Sequence, residues 1–288
     1  MSIQLFVQLT LNGLTTGVVY VLVSTGFALI YGTARVLNFA HGHFYMLGAF
    51  IYGGLIFLGL PWPICIVGAG LGVAILGTLT WYGFFRPLYG DTFLTVTASI
   101  GLGLIMVNGI IVTVGERDVI VPTIFPGLLK IGNITMPIEK IAIVGITLLI
   151  MLGLYYFLRT KTGKALEATT IDEEAAALQG INPGRVFLVA MCLGSGLAGI
   201  AGAVMVPTLS AQAAMGGPLT IIFLCVVVLA GHGSIKGAII IGVLFGLVKS
   251  FGYHYFGSMD NILLFVAVGI IIYFRPWGLF GVEFKRTT

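Results

Sequence analysis

Residues 141–206 decide the fold: they read IAIVGITLLIMLGLYYFL, then RTKTGKALEATTIDEEAAALQGINPGR, then VFLVAMCLGSGLAGIAGAVMV. Two apolar runs of about 20 residues, the length that spans a bilayer as a helix, flank one polar segment. We call this segment, residues 159–185, the polar island. A polar segment between two spans either connects them or contacts a partner in the aqueous phase, and its own sequence signals bear on that choice.

The composition extends this pattern over the whole chain. The 288 residues are 58% hydrophobic and 8% charged, with a mean hydropathy of +1.11. Soluble domains carry about 25% charged residues, so this sequence cannot cover a water-facing surface. Nine apolar runs follow one another: 5–31, 39–60, 62–85, 92–114, 141–158, 186–206, 219–230, 237–251 and 262–274. They lack the alternation of barrel strands. The sequence therefore predicts an all-α polytopic helix bundle, one domain over residues 1–288, with about 8–9 membrane-crossing helices.

The distribution of Lys and Arg predicts the orientation, because these residues accumulate on the cytoplasmic side. If the polar island is cytoplasmic and every run crosses once, ten of the 14 cationic residues lie inside: Arg35, Arg86, Arg159, Lys161, Lys164, Arg185, Lys236, Arg275, Lys285 and Arg286. The C-terminus is then cytoplasmic, and residues 115–140 lie outside. This bias explains the net charge of +4, so no nucleic-acid partner is implied.

The polar island contains the start and stop signals of a short helix. Thr170 and Glu173 match a capping box, and Gly180 is the usual left-handed stop. Acidic side chains favour the first turn and alanine propagates a helix, which fits the remaining residues: Asp172, Glu173, Glu174, Ala175 and Ala176. A helix lying on lipid would be rich in bulky apolar residues and Lys. This one is acidic and rich in alanine, which favours contact with a protein on the cytoplasmic side.

Five polar residues in or between the first two runs are candidates for a translocation path or its gate. Asn12, Tyr20 and Ser24 lie near one helical face, where they either line a path or hold helices together. Asn38 and His41 lie where the first pair of spans turns. They either stabilise a broken helix and gate the path, or cap the second helix and pack against it, since unpaired polar groups at membrane depth are costly.

Three further features complete the expectations for polar segments. Residues 115–140 contain three prolines and read as a hairpin-like or irregular cap, which is either a connector or a docking surface for an extracytoplasmic partner. Asp260 is predicted to cap the last helix. Lys249 lies near a helix end, where its long side chain can reach the interface. Glycines that recur every three or four residues along a helix, as from Gly196 to Gly202, form glycine stripes. Such stripes predict close helix packing.

Several functional classes find no support in the sequence. The three cysteines lie inside apolar runs without CxxC spacing, and no His/Glu cluster suggests a metal, so no cofactor is predicted. No Gly-x4-Gly-Lys-Ser/Thr occurs, which excludes a P-loop ATPase within this chain. No nucleophile motif points to an enzyme.

Four further motifs are spread along the chain: NFAHGHFYMLGA at 38–49, LAGIAG at 197–202, GHGSIKGA at 231–238 and RPWGLFG at 275–281. Together they resemble the branched-chain amino-acid type permeases of ABC importers, and the likeness covers essentially the whole chain. The polar island resembles the EAA-x3-G coupling segment of such permeases, in Glu174-Ala175-Ala176 followed by Gly180. Residues 190–193 read AMCL where maltose-type permeases have Ile-x-Leu-Pro, which separates the chain from that group. His43 and His232 depart from the usual pattern.

This resemblance implies a permease subunit in a bacterial-type inner membrane, surrounded by lipid and without enzymatic activity of its own. Separate ATP-binding subunits would act on a coupling helix formed by Asp172, Glu173, Glu174, Ala175, Ala176 and Gly180. A second related permease and an extracytoplasmic solute-binding protein would complete the importer. The implied small-molecule substrate is a branched-chain or other neutral amino acid. Urea or short amides, and an ATP-independent secondary transporter or channel, are the alternatives.

Overall fold

The computed structural model describes residues 3–131, 134–231, 233–275 and 277–280. Within these residues all nine predicted apolar runs fold as helices. The other elements are one strand pair, two short helices in the polar island, a π-helical turn at Trp81–Phe85 and 3₁₀ turns at Val206–Thr208 and Gly257–Met259. The elements are α1 (Ile3–Ala34), α2 (His41–Phe57), α3 (Trp62–Thr80), α4 (Thr92–Thr113), β1 (Leu128–Ile131), β2 (Ile134–Pro137), α5 (Ile138–Leu158), α6 (Lys161–Ile171), α7 (Glu173–Leu178), α8 (Pro183–Met205), α9 (Gly216–Ala230), α10 (Ile235–Phe256) and α11 (Asp260–Phe274).

Six helical segments are long and apolar enough to cross a membrane. They are Ile3–Ala34, Trp62–Phe85, Thr92–Thr113, Ile138–Leu158, Pro183–Thr208 and Ile235–Phe256. Helices α2, α9 and α11 have 17, 15 and 15 residues. At 1.5 Å per residue they measure about 22–26 Å, which is shorter than the hydrocarbon core of about 30 Å. Length and composition thus identify six candidate spans among the described residues, and the predicted count of 8–9 remains a prediction.

Helix α1 is the centre of the bundle, with 89% of its most apolar window buried. It meets α10 at backbone distance, because a Cβ added to Gly246 would lie 2.3 Å from the Cα of Gly17. It meets α8 equally closely, because a Cβ on Gly26 would lie 2.5 Å from the carbonyl oxygen of Gly194. Such contacts are possible only where small residues face each other, so the predicted packing role of the glycine stripes is confirmed.

The chain between α1 and α2 turns back into the bundle. His41, the first residue of α2, has its Nε2 atom 3.1 Å from the carbonyl oxygen of Val23. Val23 precedes Ala34, the last residue of α1, by eleven positions, which is about 16 Å along a helix. Residues 35–40 therefore re-enter the protein as non-helical backbone, and α2 starts deep in the bundle.

One end of the bundle carries the strand pair, and we call it the hairpin end. Strands β1 and β2 are antiparallel, with Leu128 opposite Pro137, which confirms the hairpin predicted within residues 115–140. The amide of Phe125 donates a 2.7 Å hydrogen bond to Glu139 Oε2 and fixes the preceding loop to the start of α5. The opposite end carries α6 and α7, and we call it the island end.

The predicted cap of α11 is wrong. Met259 occupies the N-cap position without a side-chain cap hydrogen bond, and Asp260 is the first helical residue. The reason is the 3₁₀ turn Gly257–Met259, which runs directly into α11. Met259 consequently has near-helical backbone angles, φ −85° and ψ 0°, instead of the extended backbone that a capping side chain requires.

Candidate functional site

The polar island folds as two helices, α6 and α7, joined at Asp172. Thr170 lies inside α6, and its hydroxyl donates to the carbonyl oxygen of Leu166 at 2.9 Å, so the predicted capping box is wrong. Asp172 caps α7 instead, with its Oδ1 accepting the amide of Ala175 at 2.9 Å. The extended backbone of Asp172, φ −153° and ψ 110°, ends α6 and begins α7 at the same residue.

The predicted stop of the short helix is confirmed. Gly180 has φ +83°, a left-handed conformation that glycine adopts without steric cost. Its amide donates to the carbonyl oxygen of Ala177 at 2.9 Å, and the amide of Ile181 donates to that of Ala176 at 3.1 Å. These two bonds form the Schellman motif. The side chain of Ile181 packs against the cluster formed by Leu166 of α6 and Val186 and Ala190 of α8, so the end of α7 rests on these two helices.

Helix α7 has one buried position and a mostly solvent-exposed surface. Ala176 is 5% exposed, whereas Leu178 is 87% exposed and Ile171, at the end of α6, is 68% exposed. Glu174 and Ala175 are exposed as well. The short helix therefore presents acidic and apolar side chains together at the island end, the composition of a surface that can bind a protein partner.

One side-chain hydrogen bond connects α7 to the segment between α3 and α4. The hydroxyl of Tyr89 donates to Glu173 Oε2 at 2.9 Å. The ring of Tyr89 packs on Phe187 of α8, with 5.1 Å between ring centroids, and on Trp81, with 6.1 Å. Burial raises the pKa of Tyr89, and the hydrogen bond to Glu173 raises it further, so the hydroxyl remains a proton donor at neutral pH. The sequence contains no local signal for this long-range contact.

Asn38 and His41 hold the re-entrant turn. Asn38 is 1% exposed, and its Oδ1 accepts the amide of Ala40 at 2.9 Å, while its Nδ2 has no partner. His41 is fully buried, with its ring edge-on to Phe27 at 5.1 Å. Because a carbonyl only accepts, the contact with Val23 assigns the proton to Nε2 of His41. Nδ1 of His41 has no partner, so both side chains combine a packing role with an unused polar atom.

The re-entrant turn is also tied to two other helices. The amide of Gly42 donates to Thr220 Oγ1 of α9 at 3.1 Å, and the amide of Phe39 donates to Ser99 Oγ of α4 at 3.0 Å. The first turns of the short helices α2 and α9 thus lie side by side inside the bundle. Any widening between α1, α4 and α9 has to move this turn.

Asn12, Tyr20 and Ser24 are separated along α1. Asn12 lies at the hairpin end, where its Oδ1 accepts a hydrogen bond from Lys140 Nζ at 2.7 Å. Tyr20 is 4% exposed and packs edge-on against Phe223 of α9 with 5.8 Å between ring centroids. Ser24 is fully buried, and its hydroxyl has no partner. Of the predicted path residues, Ser24 and His41 lie together near Val23, whereas Asn12 is about 18 Å away along the helix.

Comparison with known proteins places this arrangement in a family. The sequence model of the family described as branched-chain amino acid transport system / permease component matches residues 9–274. The chain belongs to this family. It is 29% identical to the high-affinity branched-chain amino acid transport system permease protein BraD of Pseudomonas aeruginosa, over 96% of each chain. It is 30% identical to the corresponding protein LivH of Escherichia coli, again over 96% of each chain.

A solved structure supports the fold of this permease. PsaBC from Streptococcus pneumoniae in complex with Fab superimposes with a TM-score of 0.52 and 15% identity, covering 93% of this chain and 91% of that one. Family membership and six long apolar helices together make the permease a multi-pass membrane protein. Its described residues contain no group of three or more His, Cys, Asp or Glu side chains that could hold a metal ion.

Proposed function

We propose that this permease is the membrane-spanning subunit of a binding-protein-dependent ABC importer for branched-chain or other neutral amino acids. ATP is hydrolysed by separate subunits, and the permease itself catalyses no reaction. The observation that carries the proposal is a family match over residues 9–274 in a chain whose polar island forms a short helix with a capped start and a left-handed stop.

In this proposal α7 is the coupling helix. Its six residues are fixed at both ends, by Asp172 and by Gly180, and rest on α6. Its exposed Leu178 fits an apolar pocket of an ATP-binding subunit, and the neighbouring acidic side chains fit a basic rim. The positive-inside bias of Lys and Arg supports a cytoplasmic island end, an extracytoplasmic hairpin end and a cytoplasmic C-terminus in the inner membrane.

A second permease would complete the translocation path. Helices α4 and α5 support this proposal, because only 22% and 17% of their most apolar windows are buried within the chain. In the assembled importer these faces contact lipid and the partner permease. Substrate would then pass along the interface between the two permeases. On the side formed by this chain, the re-entrant turn at Asn38 and His41 would act as the movable constriction. The solute-binding protein would dock at the hairpin end, over residues 115–140.

Purification and reconstitution test the proposal. The permease, isolated from its native membrane in mild detergent, should co-purify with ATP-binding subunits. Proteoliposomes with ATP inside and binding protein outside should accumulate radiolabelled leucine. A competition panel of other neutral amino acids, urea and short amides identifies the substrate class. Absence of an ATPase from the complex, together with uptake that is indifferent to ATP, would refute the importer and favour a secondary transporter or channel.

Replacement of Leu178 by glutamate tests the role of α7 in the same system. Leu178 is 87% exposed, so the substitution leaves the packing of the permease intact. It places a charge where an apolar contact with the ATPase is proposed, and it should abolish co-purification. The matched control is Ile120→Glu, which changes an 80% exposed side chain in the loop towards the hairpin end. Retention of the ATPase by Leu178→Glu would show that α7 is not the docking helix.

A further inference from the structure

A polar cavity of about 420 Å³ lies at the hairpin end between α1, α10 and α11. On α1 it is lined by Asn12 and Thr16, which are one turn apart, and on α10 by Lys249 and Tyr253, which have the same spacing. Asp260 closes it from the start of α11. The volume falls in the usual range for small-molecule sites, about 300–1,000 Å³.

The cavity contains a buried negative charge. Asp260 is 5% exposed, and its carboxylate serves no capping role because Met259 occupies the N-cap. Residues as buried as this are rarely acidic unless the charge meets a partner. No described side chain donates a hydrogen bond to Asp260, although Lys249 lines the same cavity. Asp260 thus has Lys249 as an electrostatic neighbour but no side-chain hydrogen bond, and its carboxylate oxygens are available to a cationic group that enters the cavity.

Hydrogen-bond donors line the other side. Lys249 Nζ donates to Asn261 Oδ1 at 3.3 Å, which leaves two of its three N–H groups unused. The Oδ1 of Asn12 is held by Lys140 Nζ at 2.7 Å, which orients the amide and leaves Nδ2 as a donor. An ammonium group and an amide N–H₂ group that border one cavity are suited to an anionic oxygen pair.

Two contacts fix the helices around the cavity. Ser250 Oγ donates to the carbonyl oxygen of Leu9 at 2.7 Å and fixes α10 to α1 at the cavity wall. Further along α1, Tyr20 packs edge-on against Phe223 with 5.8 Å between ring centroids. Thr16 is the innermost lining residue on α1, and Tyr20, one turn further along, is packed in the bundle and does not line the cavity.

We propose that this cavity binds a zwitterion, with its anionic group at Lys249 and Asn12 and its ammonium group at Asp260. This inference deepens the proposed function, on which it rests, by assigning a first binding site for a neutral α-amino acid on the permease itself. The ethanolamine headgroup of a phospholipid carries the same pair of charges, and the experiment separates the two sources.

The test measures equilibrium binding to the full transporter complex in nanodiscs of phosphatidylcholine and phosphatidylglycerol, without ATP or binding protein. The probes are L-leucine and other neutral amino acids, each beside its single-charge analogues; for leucine these are 4-methylpentanoate and 3-methylbutylamine. Saturation-transfer NMR detects weak binding. We expect at least one zwitterion to bind about tenfold tighter than either of its analogues, since the loss of one hydrogen bond to a charged group corresponds to about a tenfold loss of affinity.

Two variants assign the charges. Asp260→Asn should remove the preference for the zwitterion over the carboxylate analogue, and Lys249→Gln should remove the preference over the amine. Lys236→Gln, an exposed cation at the opposite end of α10, is the matched control and should bind like the unmodified protein. Lys249 is only partly buried, so its variant carries the test if Asp260→Asn does not fold.

Lipid analysis forms the second arm. If a headgroup occupies the cavity, phosphatidylethanolamine should co-purify with the complex and should be lost in Lys249→Gln and Asp260→Asn but not in Lys236→Gln. The zwitterion site is overturned if no amino acid or headgroup is preferred over its single-charge analogues, or if both variants behave like the control. Because binding needs no ATP, the two proposals fail separately. Charge-dependent binding without ATP-driven uptake would refute only the importer. Uptake that both variants leave unchanged would refute only the role of this site in the translocation path.

Discussion

Replacement of Gly202 by alanine should separate two helices that the fold holds in backbone contact. A Cβ at this position would lie 1.9 Å from the carbonyl oxygen of Tyr45 and 3.0 Å from the amide nitrogen of Ala49. Both atoms belong to the backbone of α2, so no side-chain rotation relieves the overlap. On the next turn, a Cβ on Gly48 would lie 2.1 Å from the carbonyl oxygen of Gly199, which prevents α2 from sliding aside.

The expected loss follows from two opposing effects. Alanine in a helix interior is favoured over glycine by about 1 kcal/mol. Overpacking of a well-packed contact costs about 1–3 kcal/mol, and here α2 and α8 must separate by about 1 Å or more to restore a 3.0 Å contact. The steric cost prevails, so Gly202→Ala should lower the free energy of unfolding by up to about 2 kcal/mol. Gly145→Ala on α5 experiences only the favourable effect, because no atom lies within 4 Å of its Cβ.

The assay is the thermal midpoint of the detergent-solubilised permease, followed by size-exclusion chromatography after heating. A loss of this size shifts the midpoint of a domain of 150–250 residues by about 2–4 °C per kcal/mol. Gly202→Ala should melt below the unmodified permease and Gly145→Ala at or above it. Tyr45→Phe should not rescue Gly202→Ala, since the overlap is with the carbonyl group. Equal midpoints for the two alanine variants would refute the close contact between α2 and α8.

Three further predictions concern the polar island. Tyr89→Phe removes the donor to Glu173, a hydrogen bond with a net contribution of about 1 kcal/mol. The permease should stay folded while uptake per ATP hydrolysed falls. Unchanged coupling would contradict the role of the bond. Asp172→Ala removes the N-cap at a cost of about 1 kcal/mol, so the Ala175 amide should exchange hydrogen faster, whereas Asp172→Asn, which keeps an accepting oxygen, should not. Gly180→Val forces a β-branched residue to φ +83° at a cost of about 1–3 kcal/mol and should uncouple ATP hydrolysis from uptake, while Gly180→Asn should retain coupling. Normal coupling in Gly180→Val would contradict the role of α7.

The sequence predicts what depends on local chemistry. Every apolar run became a helix because lipid leaves the backbone no other way to satisfy its hydrogen bonds. The stop at Gly180 followed from the one residue that adopts a left-handed conformation freely. The start of the same helix was predicted two residues too early. Thr170 and Asp172 are both good capping residues. Asp172 is the cap because α6 packs on the bundle through Leu166, which is 1% exposed, and Thr170 lies inside that packed helix.

Features that depend on depth and on distant partners have no local signal. The re-entry of residues 35–40 is defined by the contact between His41 and Val23, which belongs to the packing of α2 on α1. The bond from Tyr89 to Glu173 joins residues 84 positions apart. Asp260 reads as a helix cap in the sequence, and only the 3₁₀ turn before it shows that its carboxylate is left for the cavity.

These contacts form a continuous mechanical route from the island end to the re-entrant turn. Tyr89 links α7 to Phe187 in the first turns of α8, and further along α8 Gly202 lies in backbone contact with α2. Helix α2 in turn begins at His41. Packed backbones are poorly compressible, so a displacement of α8 has to move α2 as well. A demonstrated coupling requires a double-mutant cycle. We expect Tyr89→Phe and Gly202→Ala to reduce uptake per ATP non-additively, because both interrupt one route. Additive losses would mean that α7 acts on the path through another helix.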